Sequence, residues 1–296
     1  MLYKPRVLKK GDGVALIAPS SPVEPEKLQN YVNEVKKLGL NVDVKRSCYQ
    51  FSHKYLSGSD DLRASDIMES FLDKSIKGIF CIRGGYGAGR LLGRLDFGKI
   101  SKNPKFFCGY SDITALHIAI NQNCRFITYH TPMPNKFEDL DDYSFSIMES
   151  LIFCEEFANI PNPESDELKF INEGSARGIL TGGNLSLLTA SLATKYEINT
   201  RGKILFIEEV DEEAYKIDRM LNHLHMAGKF RDCAGIIFGN FEGCVGVYIP
   251  EIIKNWEFTC PIIGNFRAGH GLPSASLPMG AFISIDSAKQ GIEILW

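Results

Sequence analysis

No Cys-x-x-Cys pair occurs among the eight cysteines of this 296-residue chain. Several stand inside apolar runs, as in Phe80-Cys81-Ile82 and Phe107-Cys108, and read as reduced, buried small hydrophobes rather than disulfide partners or zinc ligands. No apolar stretch approaches the ~18 residues of a membrane span, and Met1 to Lys10 mixes charge with Pro5 where a secretory signal would carry an apolar core. The expectation is a cytoplasmic protein without membrane contact. An excess of positive charge is missing too. The formal charge is -3 and the 33 Lys and Arg are scattered, which leaves no basic face for nucleic acid. What is present is 44% hydrophobic content, enough to build the core of one large domain or two ordinary ones.

The first half alternates short apolar strands with helical spacing. Val14 to Ala18 reads as a strand, Pro25 to Leu38 as a helix and Asn41 to Val44 as a returning strand; a helix capped at Ser59-Asp60 runs to Leu72, and Gly78 to Ile82 is a buried strand before a glycine loop. Lys105 to Gly109 is a further strand running into a helix with Ile113, Leu116 and Ile120. This spacing predicts parallel βαβ units with helices on both faces, an α/β fold. From Asn135 to Asn172 the pattern loosens through Glu138-Asp139-Leu140-Asp141-Asp142 and Pro161-Asn162-Pro163. The expected division is therefore an N-terminal domain over 1–135, a linker over 136–172 and a C-terminal domain over 173–296. The last of these holds strands at Ala176 to Thr181, Lys203 to Val210, Cys233 to Gly239, Pro261 to Gly264 and Ala281 to Ile285, with helices around Leu185 to Ala193 and Ala214 to Gly228.

Side chains that do chemistry in α/β folds gather at the carboxyl ends of strands. Those ends supply Ser20, Ser21, Arg83, Ser111, Asp112, Glu208, Glu209 and His270. Ser111 and Asp112 open a helix, where free N–H groups can hold an oxyanion, but Ser and Asp are also preferred helix caps. Gly109-Tyr110-Ser111-Asp112 is half of a G-x-S-x-G elbow, without the second glycine. His270, between Gly269 and Gly271, stands in a loop. An acid that orients a histidine that deprotonates a serine is a recurrent solution, with Glu208 and Glu209 competing for the acid. The glycine loop after Arg83 lets backbone approach a reacting carbonyl through Gly84 or Gly85. Its alternative is a nucleotide loop, although its third glycine comes too early for G-x-G-x-x-G. Arg83 could clamp a free carboxylate. His223 and His225, two apart on a helix, cannot share a zinc ion.

In order along the chain, Ile82-Arg83-Gly84-Gly85-Tyr86-Gly87, Gly109-Tyr110-Ser111-Asp112-Ile113-Thr114-Ala115-Leu116, Thr181-Gly182-Gly183-Asn184-Leu185-Ser186, Leu205-Phe206-Ile207-Glu208-Glu209-Val210, Ile217-Asp218-Arg219-Met220-Leu221 and Gly269-His270-Gly271 resemble the LD-carboxypeptidases, or muramoyltetrapeptide carboxypeptidases. The resemblance spans nearly the whole chain. It implies a flavodoxin-like N-terminal domain with a smaller, mixed, β-rich C-terminal domain. It also implies a Ser111-His270-Glu208 triad and an oxyanion hole from the N–H groups of Gly85 and Asp112, with Arg83 and Asn184 as further substrate contacts. The implied substrate is murein tetrapeptide, cleaved before its terminal D-alanine by a homodimer without cofactor or metal. A branch resembling microcin-immunity peptidases cleaves acyl-sulfamoyl adenylates with the same triad, usually with a longer linker. Two stretches depart from the family pattern, Asn265-Phe266-Arg267-Ala268 and Pro273-Ser274-Ala275-Ser276.

Overall fold

The computed structural model describes residues 1–296. Its strands, in chain order, are β1 (Gly13–Ile17), β2 (Asn41–Val44), β3 (Ile76–Cys81), β4 (Phe106–Gly109), β5 (Thr128–His130), β6 (Asn159–Pro161) and β7 (Lys169–Asn172). They continue with β8 (Ser175–Asn184), β9 (Lys203–Val210), β10 (Gly235–Glu242), β11 (Ile262–Gly264), β12 (Leu277–Met279), β13 (Phe282–Asp286) and β14 (Gly291–Ile294). One sheet has the order β12-β5-β4-β3-β1-β2. Its first five strands in sequence are parallel, in the 2-1-3-4-5 order of flavodoxin-like sheets. β12, from far along the chain, closes its edge antiparallel to β5. The second sheet runs β6-β14-β13-β8-β9-β10-β11-β7. Its centre, β8 to β11, is parallel, and antiparallel strands flank it on both sides.

The continuous apolar strands of the first sheet are explained by burial on both faces. Val14, Leu16, Phe80, Phe106 and Cys108 face one core, while Ala15, Ile17, Ile79, Cys81 and Phe107 face another. The helices Pro25–Lys37 and Asp142–Phe153 cover the first face through Leu28, Val32, Val35, Ile147, Met148 and Leu151. Asp60–Leu72 and Thr114–Cys124 cover the second through Ile67, Phe71, Leu116 and Ile120. Each such side chain, fully buried, contributes roughly 1.5–3 kcal/mol, so neither helix pair could leave its face without losing most of the fold.

The segment expected as a linker, 136–172, is instead built into both layers. Asp141 caps the helix Asp142–Phe153 by accepting from Ser144 N, and β6 and β7 form the two edges of the second sheet. Composition hid this, because the acidic run is a helix entry and Pro161 closes the short edge strand β6, where a proline is tolerated. The two sheets also share one apolar core, which contains Leu180, Ile204 and Phe206 together with Leu16 and Phe80. No helix is long and apolar enough to cross a membrane.

Candidate active site

At the end of β4 the chain makes an abrupt turn. Gly109 and Tyr110 are extended, and Ser111 then takes φ +63°, the left-handed region that a residue with a Cβ adopts at a cost of ~1–2 kcal/mol. A short 3-10 turn, Ser111–Ile113, leads into the helix Thr114–Cys124. The cap reading of this pair does not hold, because neither turn nor helix has a side-chain cap. Ser111 Oγ is left free and half-buried, with Gly84 packed against it: a Cβ on Gly84 would lie 3.0 Å from that oxygen.

Asp112 turns away from the helix. Its Oδ2 accepts from Ser20 Oγ (2.6 Å), in the loop after β1, and from Ala88 N (2.7 Å), in the loop after β3. One buried carboxylate thereby ties together the carboxyl ends of β1, β3 and β4, and burial raises its pKa. The glycine loop is fixed from the other side by Arg63, fully buried, whose guanidinium donates to Pro19 O and Gly87 O. The nucleotide reading of this loop fails on the same facts. The loop enters a 3-10 segment, Ala88–Arg94, instead of an α-helix, and the N–H of Ala88 is already taken. Gly85 has φ +109° and an N–H without an acceptor in the chain.

The second sheet supplies the other half. Glu208, near the carboxyl end of β9, is 0% exposed. His270, in the loop after β11, donates its Nδ1–H to Glu208 Oε2 at 2.6 Å, and its backbone N–H donates to the same oxygen at 3.1 Å. Burial works against the charged form of both groups. The mutual attraction and the hydrogen bonds outweigh it, lowering the pKa of Glu208 and raising that of His270. The His270 ring lies 4.6 Å, centroid to centroid, from that of Tyr110, the residue before Ser111. No hydrogen bond joins Ser111 Oγ to His270, whose only side-chain partner is Glu208. Looseness of this kind is common before a substrate is bound.

Glu209 points to the opposite side of β9. Its carboxylate accepts from Asn184 Nδ2 (2.6 Å), Ser186 N (2.8 Å), Ser186 Oγ (2.7 Å) and Val210 N (3.0 Å). The alternation of side chains along the strand separates the two acids, a choice left open while both faces of β9 read as buried. Asn184, expected at the substrate, is 3% exposed, donates to Glu209 and caps Leu187 N, which leaves one amide N–H and one oxygen lone pair uncommitted. Arg83 donates to Pro22 O beside the glycine loop, while its buried Nε has no partner.

The approach of His270 to Glu208 depends on Gly269. It has φ +106°, and a Cβ there would stand 2.6 Å from Glu208 Cβ and 2.7 Å from Oε2. Gly269→Ala is expected to push the two apart by a sizeable fraction of an ångström and lower kcat by about 100-fold. Hydrolysis kinetics beside far-UV circular dichroism would check this; unchanged kcat would mean that the contact is dispensable. Sequence reasoning missed His130, which is buried beside Glu208. It ends a three-residue strand, too short to show a period.

Known proteins resemble this chain in sequence and in fold. Models of the LD-carboxypeptidase N-terminal and C-terminal domains match residues 14–131 and 177–285. The chain is 42% identical to the probable murein peptide carboxypeptidase of Bacillus subtilis, over 97% of this chain and 93% of that protein. Among solved structures, an MccF-like protein from Bacillus anthracis superposes with a TM-score of 0.88 at 30% identity, covering 99% of both chains. Muramoyltetrapeptide carboxypeptidase from Oxalobacter formigenes superposes with a TM-score of 0.79 at 25% identity, over 95% of this chain and 97% of that one.

Proposed function

We propose, from the premise that this chain belongs to the LD-carboxypeptidase family, that it hydrolyses the bond before the terminal D-alanine of murein tetrapeptides as a serine peptidase. The observation that carries the reading is the fully buried Glu208 bonded at 2.6 Å to a histidine whose ring adjoins the strained Ser111 turn. In this mechanism Ser111 Oγ attacks the scissile carbonyl carbon, and His270 Nε2 takes the hydroxyl proton. Glu208 fixes the imidazole tautomer and stabilises the imidazolium. The carbonyl oxygen, now anionic, accepts from the N–H groups of Gly85 and Asp112. Collapse breaks the C–N bond, and His270 delivers its proton to the departing amine of D-alanine. Water, deprotonated by His270, then hydrolyses the ester on Ser111. Arg83 is proposed to meet the terminal carboxylate, since its guanidinium is only partly satisfied. A cytoplasmic homodimer belongs to the same proposal and rests on the family resemblance.

The test is a mass-spectrometric assay on synthetic tetrapeptides ending in D-alanine or L-alanine, with an acyl-sulfamoyl adenylate alongside. Release of alanine from the D-peptide alone is the expected result. Cleavage of the adenylate with the peptides untouched would move the chain to the microcin-immunity branch, a reading that the superposition on the MccF-like protein makes worth including.

A further inference from the structure

Glu208 uses only half of its carboxylate. Oε2 accepts both bonds from His270, whereas Oε1 is buried without any partner. Another buried polar atom in the same region is also without a partner, Nε2 of His130. The two stand 3.9 Å apart, with side chains 0% and 2% exposed. That separation is short for a bridging water, which at its near-tetrahedral angle holds its two partners about 4.5 Å apart, and slightly too long for a direct bond. A small rotation of the imidazole closes it. The ring is held edge-on between Phe206 (5.3 Å, 81°) and Tyr110 (5.8 Å, 75°), so its freedom is confined to movements of that size.

We propose that His130 is a positioning residue whose Nε2–H donates to Glu208 Oε1, holding the second carboxylate oxygen while the first orients His270. The inference rests on the proposed mechanism for its catalytic meaning, though not for its geometry. Burial keeps His130 neutral, its pKa lowered to about 4, so one ring nitrogen carries the proton. Facing a carboxylate, that nitrogen is Nε2. The neighbouring His117 is not a competitor for Oε1: its Nε2 and Nδ1 are already bonded to Gly109 O and Thr128 Oγ1, each at 2.8 Å. A carboxylate satisfied at both oxygens stays ionised in one rotamer when His270 becomes positively charged.

The ionisable groups around the pair are His130, Tyr110 and His117 from the first sheet, and Glu209, Asp211 and Glu242 from the second. Among them His130 is the one whose buried nitrogen faces the free oxygen. Removing its N–H destabilises ionised Glu208, so the Glu208-His270 pair keeps its proton to higher pH. The acid limb of kcat/KM should then move up.

Two variants and one spectrum test this. His130→Phe is expected to lower kcat about tenfold with little change in KM and to raise the acid limb by about half a unit or more. His130→Gln, which retains an N–H donor, should return the limb toward its original position. In the unaltered protein, nitrogen-15 NMR should show His130 protonated at Nε2, and the His270 titration should follow the limb in each variant. A His130 found protonated at Nδ1 overturns the proposal. So does a His270 titration that is the same in His130→Phe and the unaltered protein. Because the His270 titration needs no substrate, a shift there in a protein that leaves tetrapeptide intact would sustain the positioning role and defeat the proposed function instead.

Discussion

Ser111→Ala is expected to lower kcat on a murein tetrapeptide by at least ~10⁴-fold while leaving the melting temperature nearly unchanged. The two halves of that expectation have separate causes. The rate falls because alanine offers no atom to form the ester, and the oxyanion donors and binding contacts that remain supply only residual catalysis. The fold persists because Ser111 Oγ serves no helix cap; a lost cap would cost ~1 kcal/mol and be visible in a thermal melt. Ser111→Gly adds a second signature. Glycine adopts φ +63° without the Cβ penalty, so this variant should be inactive yet more stable by ~1 kcal/mol. Full activity of Ser111→Ala on tetrapeptide would end the proposed mechanism.

Glu208→Gln and Glu209→Gln should fail in opposite ways. At Glu208 the amide can hold the imidazole in the wrong tautomer and cannot stabilise its cation, so kcat should fall by about 10³- to 10⁴-fold, with a stability loss of ~1 kcal/mol where the amide nitrogen meets the His270 backbone N–H. At Glu209 the carboxylate closes a ring of donors from Asn184, Ser186 and Val210. An amide there sets N–H against N–H and should cost ~1–3 kcal/mol of stability, with a smaller loss of kcat. Kinetics and melts on the same two preparations decide it. A larger loss of kcat at Glu209 would reverse the assignment of the acid.

Much of the N-terminal architecture was legible because its strands are buried on both faces and its helices carry regular stripes. Gly13–Ile17, Asn41–Val44 and Phe106–Gly109 lie within a residue or two of where the apolar runs predict them, and so do the helices Pro25–Lys37 and Asp60–Leu72. The strands β5, β6 and β12, of three residues each, were not legible. Unlike β11, equally short but read from the apolar run ending at Gly264, they mix apolar residues with polar ones or proline, and β12 joins a sheet whose other members lie more than a hundred residues earlier. The helix Asp142–Phe153 was hidden for another reason, since its acidic entry reads as loop until the apolar side chains behind it find a sheet to cover.

The sequence by itself determined the kinds of group available at the strand ends, a serine, two acids and a histidine flanked by glycines, because loop composition and apolar spacing are local properties. It could not decide between Glu208 and Glu209, or between Ser111 as a cap and Ser111 as a free hydroxyl. Only the tertiary structure decided those. Which face of β9 meets the His270 loop depends on strand pairing and on Gly269 allowing contact. The hydroxyl of Ser111 is free because Ser111 is the first residue inside the turn, with left-handed φ, and the N-cap position falls to Tyr110. Both outcomes arise from contacts between residues some sixty to a hundred positions apart, such as Glu208 with His270 and Ser20 with Asp112, and no local pattern encodes them.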